Sequence, residues 1–227
     1  MGYEQLDRPV WNALTTRWAR IAEGSARAWR IDRDYGVFGA AADCSPESLA
    51  ALAALVPERG ELWMVEREDW PAPTGTRFVR QAECVQMMCE KLIPGKAPAF
   101  EIVELDENDA PAMYDLAKLT QPGPYAAHTN RLGDFIGVKQ DGALIAMAGE
   151  RMKMPGLSEV SGVCTHPDHR GRGYAGALMR VVAERMLARG ETPWLHAYAR
   201  NAGAIALYES LGFRLHGTVT ASVLVRS

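Results

Sequence analysis

Apolar residues recur along this chain with two periods, one helical and one of strands. Ala175, Leu178, Met179, Val182 and Met186 fall at i, i+3, i+4, i+7 and i+11, one face of a helix that Gly190 ends. Residues 10–23 carry Trp11, Leu14, Trp18 and Ile21 on one stripe, which predicts an amphipathic helix with its tryptophans in the core. Ser45 followed by Pro46 reads as a helix N-cap and first turn, opening a helix lined by Leu49, Leu52, Leu55 and Val56. Acids at Asp106, Glu107 and Asp109 favour a helix start that runs to about Leu119. Residues 202–211 form a shorter helix closed by Gly212. Strand-like runs cover residues 28–31, 35–42, 61–66, 78–88, 100–105, 134–140, 143–152, 158–165, 194–199 and 215–225. Asp141-Gly142 joins two of them as a tight hairpin.

The Pro/Gly-rich stretch Ile93-Pro-Gly-Lys-Ala-Pro98 is the best candidate boundary. It divides the chain into an accessory α/β segment, residues 1–95, and a second domain, residues 99–227. In the second domain the order is strand, helix, three strands, helix, strand, helix, strand, an α/β (α+β) pattern with a mixed sheet flanked by helices. The first segment fits two readings, a shortened degenerate copy of the same fold or an unrelated extension. No residue-level repeat separates them.

Residues 163–175, Val-Cys-Thr-His-Pro-Asp-His-Arg-Gly-Arg-Gly-Tyr-Ala, lead from a strand into the main helix. Gly171 and Gly173 let the backbone turn sharply and approach a ligand, and a helix start offers unpaired N–H groups to a phosphate. A Walker loop is excluded because no Gly-Lys-Ser/Thr follows. Gly171-Arg-Gly173-Tyr-Ala-Gly176 matches a dinucleotide fingerprint by letter, but Glu191, the nearest acid, falls at a helix-to-strand turn rather than on a second strand. An RNA-binding Arg-Gly tract would come in many copies, and this is one.

Arg170-x-x-Gly173-x-Ala175 is similar to the (Gln/Arg)-x-x-Gly-x-(Gly/Ala) pyrophosphate motif of the GNAT superfamily of N-acyltransferases. About thirty residues later, Asn201-Ala-Gly-Ala-Ile-Ala-Leu-Tyr208-Glu-Ser-Leu-Gly-Phe213 resembles that superfamily's Asn-x-x-Ala-x-x-Leu-Tyr-x-x-x-Gly-Phe helix. The resemblance covers roughly residue 100 onward. It implies a mixed, mostly antiparallel sheet and acetyl-CoA as cosubstrate. Arg170, Gly171, Arg172, Gly173, Tyr174 and Ala175 would then hold the pyrophosphate. The backbones of Val163, Cys164 and Thr165 would pair with the pantetheine arm, one N–H facing the thioester oxygen. Asn201 would touch that arm, cap its helix, or both, and Tyr208 would protonate the departing thiolate.

For a general base the resemblance points to Glu159, whose spacing before Arg170 is similar to that of the family's glutamate. A partly buried carboxylate there would have its pKa raised toward neutrality or relay through water, whereas the bland reading is a solvated strand-end glutamate. Strand alternation puts Glu159 on one face with Ser161, Val163 and Thr165 unless a bulge intervenes. His196 is the reserve base, or else a hydrogen-bonded core residue. Two functional readings follow: an N-acetyltransferase acting on a small-molecule or peptide amine by direct transfer in a ternary complex, and a non-catalytic acyl-CoA-binding module. The acceptor contacts are expected from residues 121–134, with Gly123, Tyr125, His128 and Arg131 as candidates, and from the final strand. Oligomeric state stays open.

Charge and cysteine usage trim the partners. A net charge of −3 argues against a wholesale nucleic-acid binder. Arg170 and Arg172 are read as phosphate contacts, and Arg180, Arg185 and Arg189 as a solvated helix face. Cys44, Cys84, Cys89 and Cys164 form neither a C-x-x-C pair nor a zinc spacing, so free thiols in a reducing cytoplasm are expected. His166 and His169 lack a carboxylate at metal-ligand spacing, and no metal is expected. The first residues carry no apolar signal core, Gly2 lacks the Ser/Thr at position 6 that lipidation favours, and no apolar run reaches ~20 residues; neither membrane insertion nor export is expected.

Overall fold

The computed structural model of the chain describes residues 3–227; the reading of Gly2 lies outside them. A short 3-10 turn leads into α1 (Pro9–Leu14), and β1 (Ala22–Ser25), β2 (Ala28–Ile31) and β3 (Gly39–Ala41) form a small antiparallel sheet in that order. The helix expected over residues 10–23 therefore stops early. Thr15 and Thr16 turn their hydroxyls back onto the carbonyls of Trp11 (2.8 Å) and Asn12 (2.5 Å), a local bond that competes with helix continuation. Trp18 is nevertheless buried, as its stripe predicts.

Then follow α2 (Pro46–Leu55), capped by the Ser45 side chain, β4 (Leu62–Glu66) and β5 (Thr76–Met88). The remainder comprises β6 (Val103–Leu105), α3 (Ala110–Thr120), β7 (Phe135–Gln140), β8 (Ala143–Met154), β9 (Leu157–Thr165), α4 (Tyr174–Ala188), β10 (Thr192–Tyr198), α5 (Ala202–Leu211) and β11 (Arg214–Arg226). Asp106 opens the 3-10 turn Glu107–Asp109 that leads into α3, through a capping box with Asp109. Asp141 and Gly142 both take positive φ, 52° and 80°, the type I′ geometry that closes the β7–β8 hairpin.

Eight strands make one sheet in the order β4-β11-β5-β10-β9-β8-β7-β6, antiparallel throughout except for the β9–β10 pair. Residues on both sides of the 93–98 connector thus share this sheet, and β5 lies between β10 and β11. Arg8 ties the leading segment down: its guanidinium pairs with buried Glu66 on β4 (2.9 Å) and donates to the carbonyls of Ala41 and Ala42. α4 packs Leu178, Met179, Val182 and Met186 against β7, β8 and β9. Each such buried side chain is worth about 1.5–3 kcal/mol, an upper bound given a compact unfolded chain. The arginines of α4 are not a solvated face. Arg180 donates to the Ile93 carbonyl, Arg185 pairs with Glu104 and Arg189 with buried Glu150, so they fasten the helix to its surroundings.

β9 carries the feature that shapes the site. Met147 of β8 faces Cys164 and Gly149 faces Ser161, so Gly162 and Val163 together oppose Ala148 alone. This bulge inverts the alternation: Val160 packs with α4 while Cys164, four residues on, packs with α3. Gly162 takes φ +63°, and a Cβ there would lie 2.8 Å from the Phe135 ring, so the position demands glycine twice over.

Candidate active site

β9 and β10 pair only from Leu157 to Glu159, opposite Thr192 to Trp194. Beyond that point β10 keeps its bonds to β5 through Tyr198, while β9 turns away along its bulge. The two parallel strands therefore part like a wedge, leaving main-chain donors and acceptors of residues 160–165 without a neighbour on that side. Two cavities meet in the opening, sharing Pro122, Val163, Tyr198, Asn201 and Tyr208.

The larger is a groove of about 590 Å³ that contains every residue assigned to the cosubstrate from the sequence: Val163, Cys164, Thr165, Arg170 to Ala175, and Asn201. At its floor Gly171 (φ +77°) and Gly173 (φ +82°) turn the chain into α4, and a Cβ on either would meet nothing within 4 Å. The first N–H of this turn to find a carbonyl is that of Ala177, bonded to Gly173 (3.1 Å). The preceding N–H groups point outward at the positive end of a 15-residue helix. Arg170 and Arg172 make only long contacts, 3.4 Å each, to the carbonyls of Thr165 and Asp168, and remain free to reach an anion. An open cradle of N–H groups flanked by two cations, beside an unpaired strand edge, suits a pyrophosphate with an amide-bearing arm. Asn201 caps α5, accepting from the Ala204 N–H (3.2 Å). Cys164 is no nucleophile: burial pushes its thiol up to about 11.

The smaller cavity, about 140 Å³, is a chamber behind the wedge. Glu159 lies in its floor, 1% exposed. Burial pulls this carboxyl upward, the direction expected from the sequence, but the Arg151 charge and hydrogen bonds from His196 and Arg151 outweigh it and hold the pKa at about 2. Arg151 grips it through Nε (2.8 Å) and Nη2 (2.7 Å), the Met152 N–H donates at 3.2 Å, and His196 Nδ1 lies 3.1 Å away. Four donors fill the four lone-pair positions of a carboxylate. The expectation of a carboxyl raised toward neutrality is thus corrected, because the Arg151 charge and four hydrogen-bond donors favour its ionised form.

His196 is committed in the same way. Gln86 spends one amide hydrogen on the Leu6 carbonyl (2.8 Å) and turns the other to His196 Nε2 (3.3 Å). Both ring nitrogens of His196 thus face protein partners, Nδ1 the Glu159 carboxylate and Nε2 the Gln86 amide. Tyr208 stands where the two cavities join, and its hydroxyl is raised in pKa by burial.

Of the acceptor candidates, Gly123 lines the chamber, and so does Ala221 of the final strand. Tyr125 packs instead on Phe135, His128 stacks edge-on against Tyr35, and Arg131 is held by Glu107. Sequence reasoning missed Arg151, and it missed Phe38, Trp63, Val65 and Cys84, which reach the chamber from the first 95 residues. The β8–β9 turn at Pro155-Gly156 would set residue 152 across from residue 159; a register shift between Glu150 and Lys153 brings Arg151 to Glu159 instead, and nothing in the sequence marks it. The others had no local signal, because β4 and β5 enter the sheet by long-range pairing and Phe38 is carried by its bridge to Trp63.

A family model described as FR47-like protein matches residues 135–223. The [Ribosomal protein bS18]-alanine N-acetyltransferase of Escherichia coli K12 is 30% identical over 118 residues, 49% of this chain and 79% of that protein. The chain belongs to the GNAT N-acetyltransferase superfamily. A crystal structure of a GNAT-family acetyltransferase from Novosphingobium aromaticivorans is similar over 98% of both chains, with 49% identity and a TM-score of 0.91. A GCN5-related N-acetyltransferase from Kribbella flavida shares the fold at 19% identity, TM-score 0.69, over 100% of this chain and 96% of its own. Membership in this GNAT superfamily favours the enzyme reading over the binding-module one. No helix is long and apolar enough to cross a membrane among the described residues.

Proposed function

We propose that this GNAT enzyme moves an acetyl group from acetyl-CoA to a primary amine by direct transfer, with both substrates bound at once. The observation that carries the reading is the meeting of groove and chamber at the wedge between β9 and β10. Acetyl-CoA, when bound, supplies the activated thioester. The Arg170–Ala175 turn holds the phosphates, and the edge of β9 at Val163, Cys164 and Thr165 aligns the arm. The bulge frees main-chain donors beside the site where a carbonyl oxygen gains charge, the arrangement that stabilises acyl transfer most. Tyr208 returns a proton to the leaving sulfur.

Glu159 is assigned a positioning role: it fixes Arg151 and His196 rather than taking the amine's proton. The acceptor then enters as the free amine, because apolar walls disfavour an ammonium, and the proton its nitrogen gives up on attack replaces the one Tyr208 donates to sulfur. The test is release of the CoA thiol, with mass detection of the product, across amines, amino acids, polyamines and peptides. Tyr208→Phe should cut kcat by tenfold or more while the acetyl-CoA Kd stays unchanged. Unaltered turnover in that variant would remove Tyr208 from the chemistry.

A further inference from the structure

We infer that the acceptor is a small apolar primary amine, an arylalkyl or branched alkyl amine with no second charge, and that the first 95 residues select it. The inference rests on the proposed transfer reaction and concerns what fills the chamber. Three properties of the chamber narrow the ligand.

The first is charge. The ionised groups in the chamber wall are Arg151 and Glu159, and they neutralise each other in a two-pronged bond. Every lone pair of Glu159 is taken, so it cannot hold a second ammonium, as a polyamine or aminoglycoside would require. Arg151 spends its fork on Glu159 and lays its plane 5.0 Å from the centre of the Phe38 ring, so an amino acid's carboxylate finds no free cation. A charged substituent would enter without a partner, at a cost that excludes it.

The second is surface. Phe38, Trp63, Val65, Ala197, Tyr198 and Ala221 line the space, with Val65 and Ala221 side by side on the paired strands β4 and β11. Trp63 turns its indole N–H away, to Glu61 (2.6 Å), and Arg80 covers the ring at 4.6 Å, so the chamber receives hydrocarbon from a side chain that cannot swing aside. Pockets of this kind bury an apolar body and orient it with few polar groups. Here Ser161, Tyr198 and Tyr208 supply hydroxyls suited to a neutral –NH2.

The third is closure. The segment bearing Phe38 is tied to the loop after α3. The His128 N–H donates to the Asp34 carbonyl (2.7 Å), and the Thr129 hydroxyl to the Tyr35 carbonyl (2.9 Å). Tyr35 stacks on His128 at 5.5 Å. Loop and leading segment together cover this side of the chamber, whose volume of about 140 Å³ matches a small amine.

The experiment measures kcat/KM for benzylamine, phenethylamine and isoamylamine against spermidine, lysine and an alanine-terminated peptide, with acetyl-CoA binding followed separately by titration. Apolar amines should exceed the charged acceptors by tenfold or more. Two variants move the size limit in opposite senses. Ala221→Leu should shift preference toward the shorter amines, and Val65→Ala toward the longer, so one readable variant suffices. Preference for a charged or peptide acceptor would overturn this inference and leave the transferase reading standing. Acetyl-CoA binding with no acceptor acetylated would overturn both.

Discussion

Replacing Glu159 by Gln keeps the side chain's shape and removes its charge from the floor of the chamber. The carboxyl is held at about 2 against an ordinary 4.5, so the folded state prefers the ionised form. At 1.36 kcal/mol per unit this difference is worth about 3 kcal/mol at neutral pH. The figure agrees with the roughly 3–5 kcal/mol lost when one partner of a buried ion pair is removed. Because the folded pKa lies below the unfolded one, the stabilisation is complete above about 4.5 and is lost as pH falls through about 2. Urea unfolding of wild type and Glu159→Gln should therefore differ by about 3 kcal/mol at pH 7 and by about 2 kcal/mol near pH 3.5. In a chain of this size the pH 7 difference corresponds to about 6–12 °C in Tm. Arg151→Met added to Glu159→Gln should recover part of the loss, since the uncompensated guanidinium goes with it. A Glu159→Gln protein as stable as wild type, with no change in the difference between the two pH values, would refute the ion-pair reasoning. Activity lost while stability is kept would instead return Glu159 to the role of base.

Other outcomes follow from the groove and the core. Gly173→Val places a β-branched side chain at φ +82° and should weaken acetyl-CoA binding at least tenfold, read by calorimetric titration. Asn201→Ala removes the α5 cap and should cost about 1 kcal/mol in thermal or chemical unfolding. Iodoacetamide at pH 8 should label exposed Cys44 in the native protein, whereas Cys84, Cys89 and Cys164, buried with raised pKa, should react only after denaturation, as counted by mass spectrometry.

Much of residues 99–227 was legible because the signals there are local. Hydrophobic period marked α4, Asp141-Gly142 marked the hairpin, and Gly171 and Gly173 marked the turn into α4. The α1 expectation ran too long because a hydrophobic stripe does not register that Thr15 and Thr16 bond to their own helix. Glu159 was placed on the right strand, but its pKa depends on Arg151 and His196, one across a hairpin and the other on a strand beyond α4. The chamber's aromatic roof was invisible for a related reason. Phe38 bridges to Trp63, whose strand β4 pairs with β11 beside β5, and nothing in residues 62–66 or 76–88 says which strands they will join.

That placement of β5 has a consequence for biogenesis. Leaving the ribosome, β5 carries two bare edges, and both of its future neighbours are still to be made. β10 is synthesised more than a hundred residues later, and Arg214 at the start of β11 must return to Met88. Until then a strand of thirteen residues, with Val79, Val85, Met87 and Met88 in it, is an open template for pairing with other chains. Nascent or truncated chains lacking residues 192–226 should accumulate in aggregates or on chaperones, and the sheet should close late in folding, when distant parts of the chain finally meet.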